Sequence, residues 1–286
     1  MKRALITITL AVAAILPAKA QLTDYVIDAQ KDAEAFAAAD WGWHPIAKNM
    51  EAGYANFRMF DSWQSISVIR YREKDHRTDI FCCPGDRRSV TSRAGIENAA
   101  LASMNGSYFN VKTLYPTTFM KDEGVQVGWT RPAELRRVNG VFCLKGRKGC
   151  VLEIADTSDY VAATKKYREV MAAGPVLVDN GDVKHYDSDQ SFYTWRHPRT
   201  MVGVTKDGWT YLVVVDGRFP GHGEGATIAE MAFLAQQFGL YDALNLDGGG
   251  SSAIWDASDG VINHPYDNKK FDHAGEREVP NVILVF

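Results

Sequence analysis

In residues 241–255, YDALNLDGGGSSAIW, an acid, Asp247, stands directly before Gly248, Gly249 and Gly250 and the hydroxyl pair Ser251 and Ser252. Glycines carry no Cβ, so this stretch can enter left-handed conformations, turn several amide N–H groups toward one point and let a ligand approach the backbone closely. With two hydroxyl donors and an adjacent carboxylate, such a loop can hold an anion or a sugar and act on it. The same spelling also makes a tight turn between strands, with Asp247 bonding its own loop amides in an Asx-turn.

A second acid–glycine turn occurs at Val215-Asp216-Gly217-Arg218. If the strand-like runs 210–215 and 243–246 are parallel neighbours joined through a helix, both acids emerge at one sheet edge, where ligands collect. Paired carboxylates are the equipment of glycoside cleavage, and their spacing decides whether one attacks the sugar or activates water. Arg218 follows this turn, and Arg199 leads into the preceding strand. A guanidinium fork binds phosphate bidentately, while a lone arginine equally serves as a surface partner for an acid. Asn105 can donate to a sugar hydroxyl or stop a helix before Gly106. Tyr108, Phe109 and Trp195 can stack on a sugar face, although aromatics of this kind more often belong to the core.

Other chemistries are poorly spelt. The segment 249–253, GGSSA, approaches a nucleophile elbow that would use Ser251, but Ala253 replaces the last glycine and a strand follows. His222-x-Glu224 has no accompanying P-C-x-x-C, and a Walker loop is absent. A formal net charge of −3 argues against a nucleic-acid partner, so an anionic ligand must be met by a few placed arginines. No segment spells a dedicated cation loop, and the expectation is no metal and no cofactor.

The elements that must position these groups follow from periodicity. Lys2 and Arg3, an apolar run over 4–16 and Ala18-Lys19-Ala20 read as a secretory signal peptide over residues 1–20, which implies a secreted or periplasmic protein. No other apolar stretch approaches membrane-spanning length. Residues 21–60 read as an N-terminal helical extension, with Tyr25, Ala29, Ala33 and Phe36 at helical spacing, and 61–286 as one compact domain. Runs 65–71 and 78–83 look like a hairpin that opens the main sheet, 91–103 like a helix ending at Asn105-Gly106, and 200–205 with 210–215 like a second hairpin. Thr227 and Glu230 spell a capping box, which makes Glu230 structural despite its place near the site, and Gly239 closes that helix. Short strands complete the chain at 243–246, 252–255, 261–263 and 282–286. Cys143 and Cys150 flank a polar loop whose closure by oxidation would add on the order of 2 to 3 kcal/mol; Cys82 and Cys83 read as buried thiols.

Six segments, NGSYF at 105–109, AGPVLV at 173–178, RTMVGV at 199–204, VVDGR at 214–218, GATIAEMA at 225–232 and NLDGGGSS at 245–252, occur in this order. The series resembles the phosphodiester glycosidase family over roughly residues 98–286. The resemblance implies an α+β fold, a twisted mixed β-sheet flanked by helices. It also implies a hydrolase that cleaves the C1–O bond of a sugar-1-phosphodiester, releasing an N-acetylglucosamine-like sugar and leaving the phosphate on its acceptor. The family's polar positions fall on Asn105, Arg199, Asp216, Arg218, Asp247, Ser251 and Ser252. On this basis Asp247 is the first choice and Asp216 the second for the carboxylate at C1, with Arg199, Arg218 and the 248–252 loop as phosphate clamp. A serine esterase using Ser251 and a non-catalytic surface glycan-binding protein are the competing functions.

Overall fold

Along the strand Trp209–Val215, Leu212 and Val214 enter one apolar core while Tyr211, Val213 and Val215 enter another. Successive side chains of a strand point to opposite faces, so a sheet with apolar residues at both parities must be covered on both sides. In the computed structural model, which describes residues 21–83, 88–154 and 159–286, this sheet has eight strands. Their order is Asp182–Val183, Val176–Asp179, Asp242–Asn245, Arg199–Val204, Trp209–Val215, Ser62–Arg72, Met50–Met59 and His44–Ala47. One face carries the helices Ile228–Gln237 and Ala29–Ala37. Met231, Leu234 and Ala235 of the first pack there with Ile66, Val68, Met201 and Val213, and Phe36 of the second joins them. The other face packs on two five-stranded sheets, through Phe142 and Met171 of one and Met104, Ile254 and Ile283 of the other. The fold is α+β, and every ladder among the described residues runs antiparallel.

Several local expectations meet their elements. The 199–215 hairpin pairs Arg199 with Val215 and Val204 with Thr210. Thr227 accepts from the Glu230 amide at 3.1 Å, and Glu230 Oε2 accepts from the Thr227 amide at 2.8 Å. Gly239 stands just past the helix with φ +70°.

Non-local expectations fare differently. Ser62–Arg72 pairs with Met50–Met59 and Trp209–Val215, whereas Thr78–Cys82 leaves for a small sheet and pairs with Asn281–Val285. The charged turn between them is therefore a crossover between layers. Within 21–60 only Ala29–Ala37 is helical, while Met50–Met59 and His44–Ala47 are the last two strands of the main sheet, with His44–Ala47 at its edge. The helix expected over 91–103 ends at Glu97, and Asn105 closes a strand, Ala102–Asn105. Strands Trp209–Val215 and Asp242–Asn245 run parallel to each other but are not neighbours, because Arg199–Val204 lies between them, antiparallel to both. Cys143 and Cys150 face each other across Gly140–Lys145 and Lys148–Glu153 as free thiols. The expected leader over residues 1–20 lies outside the described residues, and no helix among the described residues is long and apolar enough to cross a membrane.

Candidate active site

Three chain passages meet at one end of the eight-stranded sheet. Trp209–Val215 and Asp242–Asn245 both finish there, and Arg199–Val204 begins there. The triple-glycine loop then crosses from the large sheet to a small one. The Leu246 amide donates to Thr200 O at 2.8 Å, the Asp247 amide to Gly106 O at 3.1 Å, and Ile254–Asp256 pairs with Ala102–Asn105. Asp247 thus sits at a seam between two layers, held by strands on each side.

The crossover is tight. A Cβ at Gly250 would fall 1.9 Å from Asp267 Oδ1 and 2.3 Å from Arg277 Nη2, and Gly249 adopts φ +66° beside the Arg218 guanidinium. Glycine is needed at both, once for close approach and once for the left-handed backbone. The loop amides are largely committed. Gly248 N–H donates to Asp247 Oδ1 at 3.0 Å and Gly249 N–H to Pro198 O at 2.8 Å. Those of Ser251 and Ser252 donate to Gly248 O and Gly249 O within the 3-10 turn Gly249–Ser251. The Asx-type bond and the turn therefore coexist, and the array of outward amides expected for an anion is mostly spent on shaping the loop.

Asp247 is part-buried, and desolvation pushes its pKa up from 3.8 to about 6. The effect is opposed in turn by Ser251, Arg137, Arg277 and the Gly248 amide. Ser251 Oγ is itself buried and meets no hydrogen-bond geometry among the described residues. It lies close enough to act on the carboxylate without being aligned to it. Among the described residues no imidazole, the base that activates a nucleophilic serine, bonds to that hydroxyl.

Arg137 and Arg277, absent from the sequence-based set, are the cations that bear on Asp247. Arg277 is bidentate to Asp267, at 2.7 Å for both contacts. Arg137 stacks over Tyr108 at 4.1 Å and pairs with Glu134. Arg218 is half-buried, with φ +68°, a conformation that costs a non-glycine residue energy. Its Nη2 approaches His197 Nδ1 at 3.5 Å and its guanidinium lies 5.0 Å over the Tyr266 ring. No ion pair to it occurs among the described residues, and burial lowers its pKa. Burial, then Arg199 and Arg218, lowers the His197 pKa to about 4, so that imidazole is neutral at ordinary pH.

Other residues of the sequence-based set take supporting places. Arg199 is buried and donates to the main-chain carbonyls of Ala226, Phe192 and Trp195, with its pKa lowered to about 10 by burial. Asn105 Nδ2 donates to Asp247 O at 2.7 Å, while its Oδ1 accepts from Thr200 and the Ala253 amide. Ser252 Oγ and Thr200 Oγ1 lie 3.2 Å apart, within hydrogen-bond distance. Glu230, besides its cap, accepts from Arg196 Nε at 3.0 and 3.1 Å.

Asp216 is fully enclosed and accepts four hydrogen bonds: from Ser65 Oγ at 2.6 Å, Asn263 Nδ2 at 2.9 Å, the His264 amide at 3.0 Å and, with that proton on the ring, His264 Nδ1 at 2.9 Å. Asn263 in turn donates to Ser252 O at 3.2 Å, which ties Asp216 to the glycine loop. His264 stacks on Phe271 at 3.7 Å. Asp216, Arg218 and Asp247 therefore surround one loop, but Asp216 has its acceptor capacity taken up by protein.

A cleft of about 410 Å³ opens against Asp267 and Arg277, with Phe109 and Leu114 on another wall. A wider cleft of about 960 Å³, lined by Arg72, Arg147 and Lys206, sits at the opposite end of the 199–215 hairpin. Size does not make it the better candidate, because the half-buried Asp247 and the half-buried Arg218 guanidinium are at the other end.

The sequence model of the phosphodiester glycosidases matches residues 98–286, and the chain belongs to that family. In fold it is similar to the catalytic domain of zebrafish N-acetylglucosamine-1-phosphodiester alpha-N-acetylglucosaminidase, in a form auto-inhibited by its pro-peptide. The TM-score is 0.64 at 16% identity, over 94% of this chain and 96% of that one. It is also similar to a hypothetical protein from Synechocystis, with TM-score 0.64 at 14% identity over 83% of this chain; the match spans 62% of the Synechocystis protein's length. At these identities the likeness is one of fold. A comparison with curated proteins returned no match.

Proposed function

We propose that this protein is an exported hydrolase that cleaves the C1–O bond of a sugar-1-phosphodiester, releasing the free sugar and leaving a phosphomonoester. The observation that carries the reading is Asp247, a carboxylate with its pKa raised to about 6, within electrostatic reach of Arg137 and Arg277 on a loop that passes beside Arg218.

The chemistry divides between the two charges. A phosphomonoester leaves already ionised at neutral pH, so little general-acid help is needed to expel it. The larger requirement is to stabilise charge growing on its oxygens, which preorganised cations do well in a partly desolvated site. Arg218 supplies a guanidinium that makes no ion pair among the described residues, with Asp267 acting on it only from a longer range. Asp247 meets the opposite pole, the oxocarbenium-like C1, as nucleophile or as base toward water. Arg137 and Arg277 offset the repulsion between that carboxylate and the incoming phosphate. Asp216 acts as a positioning residue, fixing His264 and, through Asn263, the 252 end of the loop. Asn105, Arg199, Thr227 and Glu230 hold the backbone around them.

Incubation of the purified protein with UDP-N-acetylglucosamine or a sugar-1-phosphate methyl ester, followed by product identification, tests the reading. Free sugar with an intact phosphomonoester supports it. Sugar-1-phosphate indicates P–O cleavage instead, and saturable binding without product indicates a glycan-binding protein.

A further inference from the structure

Away from the glycine loop, the turn that follows Ile254–Asp256 faces the edge strand His44–Ala47 of the eight-stranded sheet. Asp256 Oδ1 accepts from the amides of Ser258 and Asp259 at 2.7 and 2.9 Å, and this turn presents Asp259 beside its own first residue. The second oxygen is treated differently. Asp256 is 0% exposed, and its Oδ2 has no hydrogen-bond donor among the described residues. A fully buried carboxylate oxygen without a partner is costly, and a buried charge is ordinarily paired or bound to a metal.

The nearest candidate partner does not serve. His44 Nε2 lies 4.0 Å from Asp256 Oδ2, beyond hydrogen-bond reach, and 2.8 Å from Asp259 Oδ2. Despite that short second contact, Nε2 meets no hydrogen-bond geometry, so the ring nitrogen is not directed along a bond to the Asp259 oxygen. Three ligand atoms from His44, Asp256 and Asp259 thus lie within 4.8 Å of one another, with unaligned directions.

We infer that His44, Asp256 and Asp259 form a binding site for a divalent cation of the zinc type. Bonds of 2.0–2.2 Å in tetrahedral geometry separate ligand atoms by roughly 3.3 Å, a value that the 2.8 and 4.0 Å separations bracket. One imidazole and two carboxylates suit Zn²⁺ better than Ca²⁺ or Mg²⁺, which favour sets made of oxygen alone. Three protein ligands leave a fourth position for water, and the exposed Asp259 side chain gives an approach from solvent. The ion satisfies the orphaned Asp256 oxygen and fastens the N-terminal edge of the large sheet to the hairpin of a small sheet. No short motif announces it, because His44 and the two acids come from distant parts of the chain. The site is independent of the glycosidase reading.

Isothermal titration of the purified full chain with Zn²⁺ tests the assignment, using His44→Ala and Asp259→Asn, whose side chains are partly or well exposed, and Asp256→Asn as a buried variant. Circular dichroism verifies that each variant is folded. The expected result is a 1:1 site weakened at least tenfold in His44→Ala and Asp259→Asn, together with a chelator-reversible rise in Tm that both variants lose. Zinc affinity unchanged in these two folded variants overturns the site. Equal or tighter binding of Ca²⁺ in competition with Zn²⁺ overturns the cation class.

Discussion

Replacement of Asp247 by Asn separates the cost of the site from its use. The folded acid titrates near 6 against 3.8 for the free side chain, chiefly through desolvation. At 1.36 kcal/mol per pH unit, the ionised carboxylate costs the fold at most about 3 kcal/mol. The sign follows from proton binding: the folded state holds this proton more tightly than the unfolded chain. The cost is therefore absent below about pH 4, grows between about pH 4 and pH 6, and is constant above. An Asn keeps an oxygen for the Gly248 amide and never ionises, so the variant is expected to be more stable at pH 7, by up to about 3 kcal/mol, and nearly equal to the parent at pH 4. Partial exposure places the true figure below that ceiling. For a domain of this size a gain of 1 kcal/mol raises Tm by roughly 2–4 °C. Thermal or urea unfolding at pH 4 and pH 7 reads the difference directly. Turnover should fall at least a hundredfold, and in the parent kcat/KM should decline as pH drops below about 6. A variant no more stable than the parent at pH 7, with activity retained, would refute both the desolvated acid and its role.

Other expectations follow from the same contacts. Arg218→Ala should raise KM and lower kcat for a phosphodiester substrate, yet leave Tm nearly unchanged, since this guanidinium makes no ion pair among the described residues; steady-state kinetics with a melting curve checks it. Ser251→Ala should keep substantial turnover, and a fluorophosphonate probe should fail to label the parent, whereas covalent labelling at Ser251 would support the esterase reading. Glu230→Gln should destabilise by roughly 3 kcal/mol, because it strips the charge partner from buried Arg196; denaturant unfolding measures the loss, and kcat at a temperature where the variant is folded should change little.

What the sequence makes legible is what neighbours along the chain decide. The capping box at Thr227 and Glu230 and the 199–215 hairpin depend on residues a few positions apart, and each takes its expected form. The destination of a strand is a long-range matter. Nothing local distinguishes Thr78–Cys82 as a strand of the small sheet from a hairpin partner of Ser62–Arg72, and nothing in 210–246 announces that Arg199–Val204 will lie between two parallel strands. Side-chain roles obey the same division. Asp216, Arg218 and Asp247 are visible as acid or arginine beside glycine, and folding brings them around one loop. Whether each is free is invisible until distant partners arrive: Ser65, Asn263 and His264 saturate Asp216, and three carbonyls occupy Arg199. Arg137, Arg277 and His264 carry no motif of their own. Arg137 and Arg277 gain meaning only through their position around Asp247, and His264 only through its bond to Asp216.

The most direct test is hydrolysis of a sugar-1-phosphodiester in water enriched in oxygen-18, with mass analysis of both products. Cleavage of the C1–O bond puts the label on the anomeric hydroxyl of the released sugar and leaves the phosphomonoester unlabelled. Label in the phosphate would place the cleavage at phosphorus and contradict it.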